Sequence, residues 1–244
     1  MVYDAGVTSP FDDDAAPRAR PPRVWLFDLD DTLHDAHRSA MPDMQRAMGV
    51  FIERELGLTT AQSDALRRQY FQRYGATLLG LIRHHAVKAA HFLHDTHRLP
   101  GLEQRVRRHP HDVAALARLP GRRYILTNAP RTYAERVIGA LGIGSLFDGV
   151  ITIEDMAMFG HLRPKPDARM FRRLVARLGV PASHCVLVED TLVHQKAARR
   201  VGLRTVWMRR WIRQMPQRKG ERARCPAYVD CKLNHLRDLQ RRLG

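Results

Sequence analysis

The sequence predicts an α/β protein: a doubly wound parallel sheet that is interrupted, after its first strand, by a long all-helical insertion. Three observations lead there. Short apolar runs alternate with stretches of helical periodicity, as they must when parallel strands are joined by crossover helices. Several runs end abruptly in polar or charged residues, at the carboxyl side where open α/β sheets gather ligands. Between Leu33 and about Leu119, by contrast, no strand-like run occurs.

The elements follow in order. Residues 1–22 hold Asp12-Asp13-Asp14 with Pro10, Pro17, Pro21 and Pro22 and no apolar stretch, so they read as a disordered leader and not as a signal peptide. Val24-Trp25-Leu26-Phe27 is a buried strand that runs into Asp28, Asp30 and Asp31. Alternation sets Asp28 and Asp30 on one side of the backbone, and like charges so close repel unless a cation or a proton lies between them. In the insertion, Met41, Met44, Met48, Phe51, Ile52 and Leu56 trace one amphipathic helix closed by Gly57. Thr59 and Gln62 then form a capping box that opens a second helix through Leu66 and Tyr70.

The sheet resumes with Tyr124-Ile125-Leu126, which ends in Thr127-Asn128. A helix through Ala134, Val137, Ile138 and Leu141 follows and closes at Gly142. Val150 to Ile153 is a further strand, and Arg163-Pro164-Lys165-Pro166 is a loop stiffened by two prolines. Asp167 caps a helix through Phe171, Leu174, Val175 and Leu178, closed by Gly179. Val186-Leu187-Val188 ends in Glu189-Asp190 and leads to a helix over Ala197, Ala198 and Val201; strands at Thr205 to Met208 and at Ala227-Tyr228-Val229 complete the sheet. The expected organisation is a leader over 1–22, a core from 23–33 and 120–244, and the helical insertion over 34–119.

Composition narrows the classes. Forty-one Lys and Arg against twenty-five Asp and Glu give a formal net charge of +16, which raises nucleic acid as a partner. Most of the excess is scattered in arginine pairs at 67–68, 107–108, 172–173 and 199–200, the pattern of solvated helix faces. The denser tract from Trp207 to Arg224 lacks the interleaved aromatics of a base-stacking platform, so nucleic acid is the less favoured reading. Cys185, Cys225 and Cys231 cannot all pair and have no metal-ligand spacing, as expected in a reducing cytoplasm. No apolar stretch approaches the roughly 20 residues needed to span a bilayer, and no membrane partner is expected.

Asp28-Leu29-Asp30-Asp31-Thr32, Thr127-Asn128, Lys165 and Glu189-Asp190 together resemble the four ordered motifs of the haloacid dehalogenase superfamily, over roughly residues 23 to 210. Tyr74-Gly75-Ala76-Thr77-Leu78-Leu79-Gly80-Leu81 with His84-His85, and Thr127-Asn128-Ala129-Pro130, look like its pyrimidine 5′-nucleotidase branch. The resemblance implies a Rossmann-like core with the insertion as a helical cap. It also implies a Mg²⁺-dependent phosphomonoesterase that acts through an aspartyl-phosphate on a small molecule, a pyrimidine nucleoside 5′-monophosphate. Asp28 would be the nucleophile and Asp30 the general acid and base, a role that contributes about 10²- to 10⁴-fold. Asp28, Asp190 and the backbone carbonyl of Asp30 would hold Mg²⁺, a cation that favours hard oxygens. Thr127, Asn128 and Lys165 would grip the phosphoryl group.

Other residues carry alternatives. Glu189 would either join the metal shell or orient its waters. His194 stands where many relatives have an acidic or amide side chain, which leaves the outer metal site open. Tyr74 and His84 would face the substrate from the cap and read its base, with plain cap packing as the alternative for Tyr74. His91 and His94 could share a helix face and bind a transition metal, but no carboxylate or cysteine completes the set, so solvated positions are expected. The rival functions are hydrolytic dehalogenation, sugar-phosphate hydrolysis or phosphomutase chemistry on the same carboxylates, and a basic nucleic-acid-binding protein on this fold.

Overall fold

The computed structural model describes residues 22–211 and 224–243. Apart from Pro22, the expected leader lies outside the described residues, as does most of the basic tract, residues 212–223. The first strand, β1 (Val24–Phe27), is fully buried and is followed by a helical stretch: α1 (Ala36–Ser39), α2 (Met41–Leu56), α3 (Thr60–Tyr74), α4 (Thr77–His85), α5 (Ala89–His97), α6 (Leu102–Arg105) and α7 (Pro110–Arg118). Then come β2 (Arg122–Leu126), α8 (Arg131–Leu141), β3 (Gly149–Ile151), a small hairpin of β4 (Ala157–Met158) and β5 (His161–Leu162), α9 (Ala168–Leu178), β6 (Cys185–Glu189), α10 (Leu192–Arg200), β7 (Arg204–Met208), β8 (Cys231–Leu233) and α11 (Leu239–Leu243).

Six strands form one parallel sheet in the order β3-β2-β1-β6-β7-β8. Strand alternation divides its side chains between two cores. Trp25, Phe27, Ile125, Val186, Val188 and Val206 pack with α7 and α8, whereas Val24, Leu26, Leu126, Cys185 and Leu187 pack with α9 and α10. Burial on both faces is what a near-continuous apolar strand such as β1 requires. The Rossmann-like expectation is met.

Within the insertion, α2 ends at Gly57 in the left-handed conformation, and α3 opens on the Thr59–Gln62 capping box. Phe51, Ile52, Tyr70, Leu78, Leu81, Phe92 and Leu93 form a separate apolar cluster, which also takes in Ile153 from beyond β3. Leu99, Leu102, Val106, Ala115, Leu116 and Leu119 instead join the cluster on the sheet, so α6 and α7 pack as core-covering helices. Helices α3 and α4 meet closely at Gly80, where an added Cβ would stand 2.2 Å from Tyr70 Cγ.

Three local expectations are corrected. Ala227-Tyr228-Val229 is not a strand: Val229 N–H turns back to Pro226 O, Thr205 Oγ1 donates to Tyr228 O (2.7 Å), and the Asp230 carboxylate accepts from Thr205 N (2.8 Å). The edge strand forms afterwards, where Cys231, Lys232 and Leu233 pair with Val206, Trp207 and Met208. Ile153 leaves β3 for a 3₁₀ turn, which Thr152 and Asp155 cap reciprocally. Arg107 and Arg108 lie in the link between α6 and α7, not on a helix face.

Candidate active site

The chain steps outward from β1 through β2 to β3, then resumes at β6 on the other flank of β1 and steps outward through β7 to β8. The reversal falls between β1 and β6, and crevices at the carboxyl ends of strands beside such a reversal are where α/β sheets bind ligands. Asp28 follows β1, Thr127 follows β2, and Glu189 ends β6 with Asp190 next. Three separate segments of sequence therefore converge on one place, and the loop that carries Lys165 joins them.

Lys165 binds them together. Its side chain is 1% exposed, and Nζ donates to Asp28 Oδ1 (2.6 Å), Glu189 Oε2 (2.8 Å) and Leu126 O (2.8 Å), which uses all the protons of an ammonium. Burial alone would lower the lysine's pKa, but the Asp28 and Glu189 charges outweigh it and raise the pKa, so the cation is held. The loop is placed by Asn128, whose Nδ2 donates to Lys165 O and whose Oδ1 accepts from Lys165 N, both at 2.9 Å. Thr127 Oγ1 accepts from Ala129 N (3.0 Å), and its hydroxyl proton takes no part in that bond.

Asp28, Glu189 and Asp190 place carboxylate oxygens within 4.8 Å of one another. Burial first and Glu189 second push both Asp28 and Asp190 well above the usual carboxylate range. One ammonium does not offset three clustered carboxylates, two buried and Asp190 half-buried, and a divalent cation would restore the ionised forms. The donor set, all hard oxygen, fits Mg²⁺. Glu189 is already engaged on both oxygens. Oε2 meets Lys165 and lies 3.1 Å from His194 Nδ1, while Oε1 accepts from Thr191 N (3.1 Å). Against its burial, Lys165 and then His194 hold the Glu189 carboxyl well below the usual range. His194, the departure noted in the sequence, thus faces Glu189.

Asp30 faces elsewhere. Its Oδ1 accepts from Tyr133 Oη (2.7 Å) and lies 2.8 Å from His34 Nε2. These contacts overcome burial and lower its pKa. Between the two aspartates' neighbours, Asp31 adopts φ of +55°, a left-handed conformation that Asp tolerates better than most residues, and its carboxylate accepts from His37 N (3.0 Å).

In the cap, Tyr74 Oη and His84 Nε2 are 2.5 Å apart, and the His84 ring stacks on Tyr70 at 5.5 Å. The segment reaches the core beside them: a Cβ on Gly75 (φ +79°) would stand 2.9 Å from Pro166 Cδ, one residue from Lys165. His91 and His94 are exposed on α5, as expected, and both lie beside one carboxylate. Asp95 lies 3.4 Å and 3.0 Å from them, but Arg54 donates to it (2.7 Å) and brings its pKa down to about 2, so its charge is already answered.

The haloacid dehalogenase-like hydrolase family matches residues 22–202, which include every one of these converging segments. The chain belongs to this family. It is 25% identical over 194 residues to phosphate metabolism protein 8 of Saccharomyces cerevisiae, a match that covers 74% of this chain and 60% of the yeast protein. The glyceraldehyde 3-phosphate phosphatase of Methanothermobacter thermautotrophicus is 24% identical over 190 residues, 68% of this chain and 76% of its own length. The HAD-hydrolase YfnB of Bacillus subtilis, solved bound to magnesium, superposes with a TM-score of 0.58 at 17% identity over 92% of this chain and 100% of its own.

For a member of this family, the sequence reading missed four side chains that finish the site: His34 and Tyr133 on Asp30, Trp207, whose Nε1 donates to Asp190 O (2.8 Å), and Gln195, whose Nε2 donates to Glu189 O and Val206 O. Of these, only His34 left a signal, its spacing of four residues from Asp30.

Proposed function

We propose that this haloacid dehalogenase-like hydrolase is a Mg²⁺-dependent phosphomonoesterase of the cytoplasm that works through an aspartyl-phosphate on Asp28 and acts on pyrimidine nucleoside 5′-monophosphates. The observation that carries the chemistry is the buried Lys165 ammonium bridging Asp28 and Glu189, with Asp190 beside them. It keeps positive charge where three anionic groups meet an anionic substrate. Relatives whose names concern phosphate metabolism and a phosphate ester support the reading.

In the first transfer an Asp28 carboxylate oxygen attacks phosphorus as the bond to the leaving oxygen breaks, and Asp30, reacting from the protonated minority form that its His34 and Tyr133 contacts disfavour, gives that oxygen its proton. In the second, Asp30 takes a proton from water as the water oxygen attacks phosphorus and Asp28 is released. Asp28, Asp190 and the Asp30 carbonyl would hold Mg²⁺, which when bound supplies the positive charge that lets two anions approach. Lys165 steadies the nucleophile. Thr127 keeps a hydroxyl proton, and Asn128 a second amide proton, for the phosphoryl oxygens. Glu189 acts through Lys165, because both its oxygens are engaged there and at Thr191.

Within the insertion over 34–119, α2 to α5, with their own apolar cluster, serve as the substrate cap, while α6 and α7 cover the core. Tyr74 and His84 supply the stacking face and hydrogen bond for a small base, and their nearness to Pro166 through Gly75 supports this placement. The test is a hydrolysis screen of uridine, cytidine and purine monophosphates and of sugar phosphates, each with Mg²⁺ and with chelator. Faster release from the pyrimidine nucleotides is expected. A preference for sugar phosphates would remove the nucleotide assignment, and phosphate release undiminished by chelator would remove the metal.

A further inference from the structure

Tyr133 and His34 take no part in the chemistry above, yet both are fully buried and both end on Asp30. Tyr133 comes from the first turn of α8, far along the chain, and sits on a helix face whose other buried members are Ala134, Val137, Ile138 and Leu141. A phenylalanine would fill that space. A buried hydroxyl is unfavourable unless it is hydrogen-bonded, so its presence calls for a partner, and Asp30 is that partner. The ring is also met by His97, the last residue of α5, whose ring lies edge-on to it at 5.6 Å and 75°. His34 in turn is held by Ser39, whose Oγ lies 3.2 Å from Nδ1, and by a bridge between the Asp30 and His34 backbones.

Both contacts fall on the same carboxylate oxygen, Oδ1, and Oδ2 takes part in neither. A carboxylate pinned through one oxygen presents the other in a set direction. We propose that Tyr133 and His34 are positioning residues that hold Oδ1 of Asp30 so that Oδ2 is aimed at the leaving oxygen of the substrate. The inference rests on the phosphomonoesterase reading and adds to it the groups that orient its acid and base. Proton delivery matters most when the leaving oxygen is strongly basic and little when it departs readily as a phenolate. Loss of the anchor must therefore depend on the leaving group, whereas a packing defect would not.

The experiment measures kcat/KM, which reports the first transfer, on 4-nitrophenyl phosphate and on a simple alkyl phosphate. It uses the wild-type chain, Tyr133→Phe, His34→Ala and His34→Gln, with a thermal melt of each. Tyr133→Phe is expected to lose about 10-fold or more on the alkyl ester and under about 3-fold on the nitrophenyl ester. His34→Ala should show the same asymmetry, and His34→Gln, which keeps an amide donor, should recover part of it. If Tyr133→Phe does not fold, the two His34 variants give the same comparison. Equal losses on both esters, or none, from an active wild type would overturn the positioning roles and leave the phosphatase reading intact. A wild-type protein that hydrolyses neither ester and releases no phosphate from nucleotides or sugar phosphates would overturn both.

Discussion

Lys165 and Tyr74 are each one residue from a single contact, Pro166 against Gly75, yet their surroundings have little in common. The lysine is buried, with every ammonium proton engaged and its backbone clamped by Asn128. The tyrosine is half-buried, its hydroxyl directed at an exposed histidine of the same cap. On the core side, buried charges tolerate few alternatives, because removing one leaves another unanswered. On the cap side a side chain can be exchanged without that penalty. The contrast separates what the site does to a phosphoryl group from what it accepts as the rest of the substrate.

Replacing the proposed nucleophile should break the core side completely. Asp28→Asn is expected to abolish turnover while a thermal melt still shows a folded protein, because an amide cannot form the phosphoenzyme; Mg²⁺-dependent phosphate release from a pure preparation would remove Asp28 from that role. Lys165→Met should damage both activity and stability. It leaves Asp28 and Glu189 buried with no cation between them, and a loss of about 3–5 kcal/mol in urea unfolding with chelator present is expected. An unfolding curve like that of the wild type would mean the buried charges are answered elsewhere.

Asp190→Ala should raise the Mg²⁺ concentration for half-maximal activity by more than about 10-fold with less effect at saturation, since it deletes a metal-side charge and not a reacting group. An unchanged requirement in a Mg²⁺ titration would shift the metal site away from Asp190. The cap should give the smallest and most selective response. Tyr74→Ala is expected to lower kcat/KM for pyrimidine nucleotides by about 10-fold and for 4-nitrophenyl phosphate by under about 3-fold, in line with the modest worth of one aromatic contact. Equal losses on the two substrates would assign Tyr74 to cap packing.

The same divide governs how much was legible in the sequence. Strand ends and helix caps could be read because each is a local pattern: an apolar run stopped by carboxylates, a Thr-x-x-Gln box, a glycine after a periodic face; the four converging segments were legible as a set only through their ordered resemblance to a known family. The burial of Lys165 could not, since two flanking prolines indicate a stiff loop but not where its side chain goes. Tyr133 was hidden for a related reason. On an amphipathic helix an aromatic among Ala and Val reads as core, and its hydroxyl acquires meaning only when a residue 103 positions away is brought beside it. The last strand was misplaced by propensity. Ala-Tyr-Val favours strand more than Cys-Lys-Leu, but pairing with β7 and the Asp230 and Thr205 bonds decided the register.

Gly80 and Tyr70 carry a consequence for how this cap can diverge. With only 2.2 Å between an added methyl at position 80 and the Tyr70 ring, neither residue can drift alone. A lineage that gained alanine at 80 would have to move α3 away from α4, since the added methyl would also stand 2.7 Å from Tyr70 Cβ, and one that shrank 70 would open a gap beside Tyr74 and His84, which both touch the Tyr70 ring. Substrate preference in descendants of this protein should thus change in steps tied to a shift of α3 against α4, rather than by gradual single exchanges at this contact.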